Sequence, residues 1–448
     1  MSSVASTSKV TLGLLQKGAS ASLWSATCDL AARSRAPPVW TANRSSDYRT
    51  RRSFSQSRAA WSVWPSGMEP GSERKRGEAQ QSTSAQASST SGLPKYHPPR
   101  SITVQDLQEM KERQEPIAML TAYDYPSALA HRSAKVDISL IGDSLANVAL
   151  GHPTTQQLDI DAMVHHCAAV SRGVNDPILS HPSLPPTPLI IADLPFGIAQ
   201  LPLEAAVPAA LDVVRKGRLH GLKIEGGREV IPLISHLTSF GTAVMAHIGL
   251  QPQRFSSASA LSLQARTAVE AIELLDEALA LEEAGAFAML IECVPGRVAA
   301  EVTKRLRIPT IGIGAGKGTD GQVLVQDDIL GEINSPLSLL RVLEAQEQGG
   351  ESPSSSLLPK PSAPTTPRFV RNFAMQATGT TGGAVRVAAV QAYVKAVKER
   401  TYPNDEEGYK MKREEWAALK AWLEEFDQQE AATAAAEEGR QSADEVIV

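Results

Sequence analysis

The chain has 448 residues, 42% of them hydrophobic, with a formal net charge of −5 and three cysteines. That is more than one barrel of about 250 residues needs, so a single barrel would leave room for extra segments. The wide spacing of Cys28, Cys167 and Cys293 argues against a disulfide framework or a zinc signature, and the lack of an apolar run of about 20 residues argues against a transmembrane helix.

Residues 1–60 set nine Lys and Arg against Asp29 and Asp47, a balance of +7 that leaves −12 on the rest of the chain. This Ser-, Ala- and Arg-rich stretch has the composition of a mitochondrial transit peptide, which predicts the mitochondrial matrix as the location. A merely basic tail is the plainer alternative. Residues 61–96, rich in Gly, Ser, Gln and Pro, read as a disordered linker. The acidic remainder argues against nucleic acid as a partner.

From residue 97 to 403, short apolar runs alternate with helical stretches. The runs are 116–124, 138–144, 188–195, 221–227, 242–249, 288–295, 309–316 and 323–330. Continuous apolar runs suit parallel strands covered on both faces. Helical periodicity is clear over 264–284, 297–306 and 384–400. Eight strands with intervening helices predict a (β/α)8 barrel, a TIM barrel; an open doubly wound sheet is the alternative. Residues 346–367 are a Ser/Pro-rich low-complexity insertion, and 404–448 read as a charged helical tail with a helix near 405–428.

Polar residues collect at the C-terminal ends of these strands: Asp143, Ser144, Asp193, Lys223, Glu225, His247 and Glu292. In a barrel that rim carries the active site. Lys223 and Glu225, two apart on a strand, face one side. Each residue also has a plainer reading. Asp143, Ser144 and Asp193 suit caps, and Lys223 with Glu225 suits an internal ion pair. Glu292, in an apolar run, must be paired, protonated or functional. Several carboxylates on one rim repel one another without a cation, and Mg²⁺ takes such hard oxygen ligands. His165 and His166 read as helix surface and packing, and Cys293 as a buried structural thiol. The Gly-rich 312–322 segment fits neither a P-loop nor a dinucleotide fingerprint. It suits a turn that approaches a ligand closely.

The segments TAYDYPSA, LIGDSLA, ADLPFG, GLKIEGG, AHIGLQPQ, IECVPG and IPTIGIGAGKGTDGQVLV stand in this order over residues 100–330, with a further match at 367–403. In these the chain resembles the ketopantoate hydroxymethyltransferase family. The resemblance implies a (β/α)8 barrel in a large homo-oligomer. It implies transfer of a hydroxymethyl group from methylenetetrahydrofolate, a co-substrate, to 3-methyl-2-oxobutanoate through a metal-stabilised enolate. By motif position, Asp143, Asp193 and Glu225 look like ligands of Mg²⁺ or a similar divalent metal. Asp143, Ser144, Asp193 and Lys223 look like the oxo-acid site, and Glu292 like the general base. His247 is a further pocket candidate. An unperturbed Glu, with a pKa near 4.3, lies roughly ten units below a ketone's α-hydrogen, leaving about 14 kcal/mol for metal and site electrostatics to supply. The chain departs from the family pattern in two loops. Ala146 replaces a usual Gly after strand two, where HPTT also replaces a more acidic run. After strand five, Ala265 replaces Gly between Gln264 and Arg266. The nearest rival is a lyase or mutase of the phosphoenolpyruvate-mutase type. The KKCGH-like cysteine loop common in those lyases is absent from this sequence. A non-catalytic barrel is the rival from another class.

If residues 1–60 are a targeting segment, deleting residues 1–95 should abolish mitochondrial import in cells. The truncated protein should keep wild-type turnover in vitro. Fractionation that still finds it in mitochondria would refute the targeting assignment.

Overall fold

The computed structural model describes residues 100–176, 185–254, 262–332, 369–371, 373 and 381–445. The expected transit peptide, linker and 346–367 insertion lie outside these residues. Eight parallel strands pair in chain order: β1 (Ile117–Thr121), β2 (Ile138–Ile141), β3 (Leu189–Asp193), β4 (Gly221–Glu225), β5 (Ala243–Gly249), β6 (Ala288–Glu292), β7 (Thr310–Ile313) and β8 (Gly321–Leu324). β8 returns to β1, with Ile117 opposite Gly321 and Met119 opposite Val323. The sheet is a closed barrel, which removes the open-sheet alternative. The eighth strand begins and ends earlier than its apolar run suggests. Residues 326–330 are a short helix instead, with the Gln326 amide bonded to Thr121 Oγ1 at 2.9 Å.

The helices are α1 (Val104–Glu112), α2 (Tyr125–Ala134), α3 (Leu145–Val148), α4 (Ile160–Val174), α5 (Leu203–Gly217), α6 (Ile231–Ser239), α7 (Ala268–Glu283), α8 (Gly296–Arg305), α9 (Gln326–Leu330), α10 (Gly382–Lys398) and α11 (Arg413–Glu445). Their starts follow capping chemistry. Thr103 with Asp106 forms a capping box on α1, and Thr267 with Glu270 one on α7. The α7 box explains why that helix begins at 268 although its periodicity extends further back. The tail helix α11 also starts late. Asn404 Oδ1 accepts from the amides of Glu406 and Glu407, holding a turn just after residue 403. Among the described residues no helix is long and apolar enough to cross a membrane.

Side chains alternate between the two faces of each strand, so every second residue points into the barrel. The interior is filled by Ile117 and Met119, Ile138 and Leu140, Leu189 and Ile191, Met245, Ala288 and Leu290, Ile311 and Val323. Leu107 and Met110 of α1 belong to the same cluster. Outward residues such as Ile190, Leu222, Val244 and Ile291 pack under the helices in a second core. No helix separates β7 from β8. Gly316 in that connection has φ +72°, and a Cβ there would stand 2.9 Å from the Gly296 Cα. The close approach expected of the Gly-rich turn is therefore to the chain's own backbone at the start of α8.

Helix α10 lies against the β1–β8 seam. The fully buried Tyr393 places its hydroxyl 2.8 Å from the carbonyl oxygens of both Met119 in β1 and Gln322 in β8. Tyr393→Phe should cost about 1–2 kcal/mol, the usual loss for one buried hydrogen bond. Tyr393→Ala should cost about 3–5 kcal/mol through the cavity it leaves. Urea unfolding of both variants checks the order and the gap between them.

Candidate active site at the C-terminal rim of the barrel

The inward positions of the strands change character at one end. Positions 189 and 191 of β3 are apolar and 193 is Asp; 288 and 290 of β6 are apolar and 292 is Glu; in β5, Met245 is followed by His247. In β4 the inward pair is Lys223 and Glu225. Register fixes their neighbours: Asp193 lies opposite Lys223, and Glu225 opposite His247. Two-residue alternation therefore points Asp193, Lys223, Glu225, His247 and Glu292 all into the barrel at the C-terminal ends of their strands. Asp143 and Ser144 join from the turn after β2.

The Lys223 ammonium stands 2.7 Å from Asp193 Oδ1, an ion pair without hydrogen-bond alignment, and 3.2 Å from His247 Nδ1. Asp193 Oδ2 accepts the Asp143 backbone N–H at 2.9 Å. Asp143 Oδ2 accepts from Gln253 Nε2 at 2.9 Å, and Glu225 Oε1 accepts the Gln253 backbone N–H at 2.9 Å. His247 Nε2 lies 3.2 Å from Glu292 Oε2. Because an ammonium only donates, His247 Nδ1 is the acceptor, which puts the ring proton on Nε2, facing Glu292. Ser144 Oγ shares a 2.8 Å hydrogen bond with Tyr123 OH. Ser144 makes no capping bond to α3, and Asp193 is spent on Asp143 and Lys223, so neither side chain acts as the simple cap that its position allows.

Burial dominates the electrostatics. It pushes Asp193 up to about 7 although Lys223 pulls the other way. It raises Glu225 well above the usual carboxylate range, with Asp143 adding to the effect. It raises Glu292 to about 8, against the pull of Lys223. Burial and then Lys223 drive His247 well below its ordinary value, so the ring is neutral. Burial alone would lower Lys223, but Asp193, Asp143 and Glu225 outweigh it and the ammonium is held charged. Four carboxylates thus share one cation.

That donor set suits a hard divalent ion: buried carboxylate oxygens in excess of the positive charge that faces them. Asp193 Oδ1, moreover, is buried with the Lys223 ammonium, 2.7 Å away, facing it. The side chains are closed around Lys223 and Gln253. Among the described residues, no three His, Cys, Asp or Glu groups converge on a common point as they stand.

All seven site candidates from the sequence lie on this rim. Sequence reasoning passed over Tyr123 and Gln253. Both follow directly on strand ends, β1 and β5, and both fall inside the quoted motifs; that placement was the available signal. The plainer readings of other residues hold. His165 is exposed, His166 Nδ1 donates to the Tyr123 carbonyl at 2.6 Å, and Cys293 is buried. Cys293 has φ +49°, which sends the chain out of β6 directly after Glu292. Ala265 has φ +52°, a region where glycine carries no Cβ penalty.

The ketopantoate hydroxymethyltransferase family model matches residues 101–343. A 3-methyl-2-oxobutanoate hydroxymethyltransferase of Emericella nidulans is 35% identical over 75% of this chain and 84% of its own length. The rice protein named 3-methyl-2-oxobutanoate hydroxymethyltransferase 1, mitochondrial, is 37% identical over 68% of this chain and 72% of its own. Among solved structures, an oxaloacetate acetylhydrolase aligns over 68% of this chain and 99% of its own, with a TM-score of 0.42 and 14% identity.

Glu292 makes the rim's electrostatics measurable. A carboxyl whose folded pKa is raised binds its proton more tightly folded than unfolded. The stability it contributes is complete below about pH 4.5 and is lost as pH rises through about 8. Its side chain keeps 16% of its surface exposed, so water relieves part of the cost. In chelator-treated protein, Glu292→Gln should match wild type in melting temperature near pH 4.5. It should exceed wild type at pH 9 by a margin on the order of 1–3 kcal/mol. Equal pH profiles for the two proteins would show that Glu292 titrates normally.

Proposed function

The chain belongs to the ketopantoate hydroxymethyltransferase family and is a hydroxymethyltransferase of pantothenate biosynthesis, and from that premise we propose how its rim works. The donor of the one-carbon unit is methylenetetrahydrofolate and the acceptor is 3-methyl-2-oxobutanoate. The product is 2-dehydropantoate (ketopantoate), in the first committed step of the pathway. The observation that carries this reading is Glu292. It is a partly buried carboxyl ending β6, with its pKa raised to about 8, on the same rim as Asp143, Asp193, Lys223 and Glu225.

Lys223 and Ser144 hold the carboxylate of the oxo acid, with Asp143 and Asp193 bordering it. Asp143, Asp193 and Glu225 are the residues that would hold Mg²⁺ or a similar ion, which when bound supplies stabilisation of negative charge on the keto oxygen. Glu292 takes the proton as the C3–H bond breaks. The electron pair left on C3 forms a bond to the folate-borne carbon as one of that carbon's two C–N bonds breaks. A water's oxygen replaces the second nitrogen, and the two freed nitrogens take up the proton from C3 and one from the water, so the products are ketopantoate and tetrahydrofolate. A Glu raised towards neutral pH is a better base for carbon than an ordinary one and still ionises in use. Neutral His247, its Nε2 proton on the Glu292 side, stands 3.2 Å from that carboxylate.

The same reading divides the chain into a transit peptide (1–60), a linker (61–96), a catalytic barrel (97–403) with its 346–367 insertion, and a tail (404–448). It assembles as a homo-oligomer in the mitochondrial matrix. The leader's composition supports that location, as does the rice relative, which is named as mitochondrial.

Proton removal from C3 needs no folate. The enzyme with Mg²⁺ should therefore exchange the C3 hydrogen of 3-methyl-2-oxobutanoate with D₂O in the absence of the co-substrate. Glu292→Gln should lose this exchange, by about 100-fold or more, and still bind the oxo acid. Asp143→Asn or Asp193→Asn should weaken binding and exchange together. NMR of the methine signal separates the patterns, and near wild-type exchange in Glu292→Gln would remove Glu292 from the role of base.

A further inference from the structure

Gln253 follows β5 in the segment AHIGLQPQ and has no role in the scheme above. It is 7% exposed, and its polar groups are spent on the site. Its side-chain amide donates to Asp143 Oδ2 at 2.9 Å and to the Leu194 carbonyl at 3.0 Å. Its backbone N–H donates to Glu225 Oε1 at 2.9 Å. Its carbonyl accepts from Gln156 Nε2 at 2.7 Å, and Gln156 belongs to the loop after β2. The amide can point only one way, because both of its partners, a carboxylate oxygen and a carbonyl, are acceptors.

We infer that Gln253 is a positioning residue that clamps Asp143 and Glu225, one oxygen each, so that their second oxygens are set towards a divalent cation. The inference rests on the metal reading of the proposed function. Asp143 comes from a turn and Glu225 from a strand end, so nothing in the strand register fixes the two together. Gln253 does so through two different donors, one in its side chain and one in its backbone. Gln156 holds the third side of Gln253, which ties the β2 loop to the same carboxylates. Groups that orient metal ligands in this way affect metal affinity strongly, by about 10–100-fold.

The test is Mn²⁺ binding to full-length protein, followed by the electron paramagnetic resonance of free and bound ion, with no substrate present. Wild type, Asp143→Asn, Gln253→Met and Gln156→Ala are compared, each with its melting temperature. Gln253→Met keeps the length and removes the amide. It should weaken Mn²⁺ by about 10-fold or more and broaden the bound-ion spectrum, with melting within roughly 5 °C of wild type. Gln156→Ala leaves the amide in place and should weaken Mn²⁺ by a smaller factor. Failure of wild type to bind Mn²⁺, or equal binding by Asp143→Asn, sinks the metal reading and the inference with it. If Asp143→Asn binds weakly and Gln253→Met binds like wild type, the clamp alone is wrong. Should Gln253→Met not fold, Gln156→Ala decides: wild-type affinity in that folded variant overturns the clamp.

Discussion

One ammonium among four buried carboxylates is the constraint on which the rim depends. Moving charges out of water costs several kcal/mol per ion, and a buried pair repays this only with good geometry and further hydrogen bonds. Lys223 reaches Asp193 directly and His247 on its other side. Even so, Asp193 stays near 7 and Glu292 near 8. Burial and mutual repulsion therefore exceed what one lysine offsets. A site left in that condition accepts positive charge readily, and holds protons loosely enough to exchange them near neutral pH. Both properties suit the removal of a proton from carbon beside a bound oxo acid.

The barrel supplies the rigidity that this arrangement needs. Asp193, Lys223, Glu225, His247 and Glu292 are strand residues, so backbone pairing fixes their Cα positions, and the apolar layer beneath blocks their retreat. Asp143 lies outside the strands and is secured differently. Its backbone N–H is bonded to Asp193 and its carboxylate to Gln253, while the adjacent Ser144 is bonded to Tyr123. The turn after β2 is thus held from the end of β3 and from the loops after β1 and β5, which gives a loop residue nearly the precision of a strand residue.

How much of this was legible in the sequence follows from which residues obey a simple period. The eight strands were readable because buried parallel strands are continuous apolar runs, and the rim was readable because a charge at the end of such a run stands out. Strand ends were less so. The run at 323–330 holds a strand and then a helix, because Thr121 Oγ1 accepts the backbone N–H of Gln326 at the helix start, a long-range contact that no local pattern encodes. Gln253 escaped for a related reason. An uncharged amide in a polar loop looks ordinary until the three elements it joins are seen together. The pairing of His247 with Glu292 was equally hidden, because strand register relates His247 to Leu290 and only side-chain length brings the two groups within 3.2 Å.

The rim residues on strands and those on loops are held in different ways. That division has a physical basis. Strand-borne groups are set by the barrel, so they persist or fail with the fold. Loop-borne groups depend on their own hydrogen bonds and on local sterics, as at Ala265, which adopts φ +52° where a glycine would be unstrained. A Cβ in that region costs about 1–2 kcal/mol, which a well-packed barrel tolerates. Ala265 is itself buried, and the Gln264 amide is bonded to the Cys293 carbonyl just past Glu292. The residue before the strained position is therefore anchored to the chain just past the end of β6. Variation elsewhere in this loop can change what approaches Glu292 while β6, paired on both sides in the barrel, keeps its place.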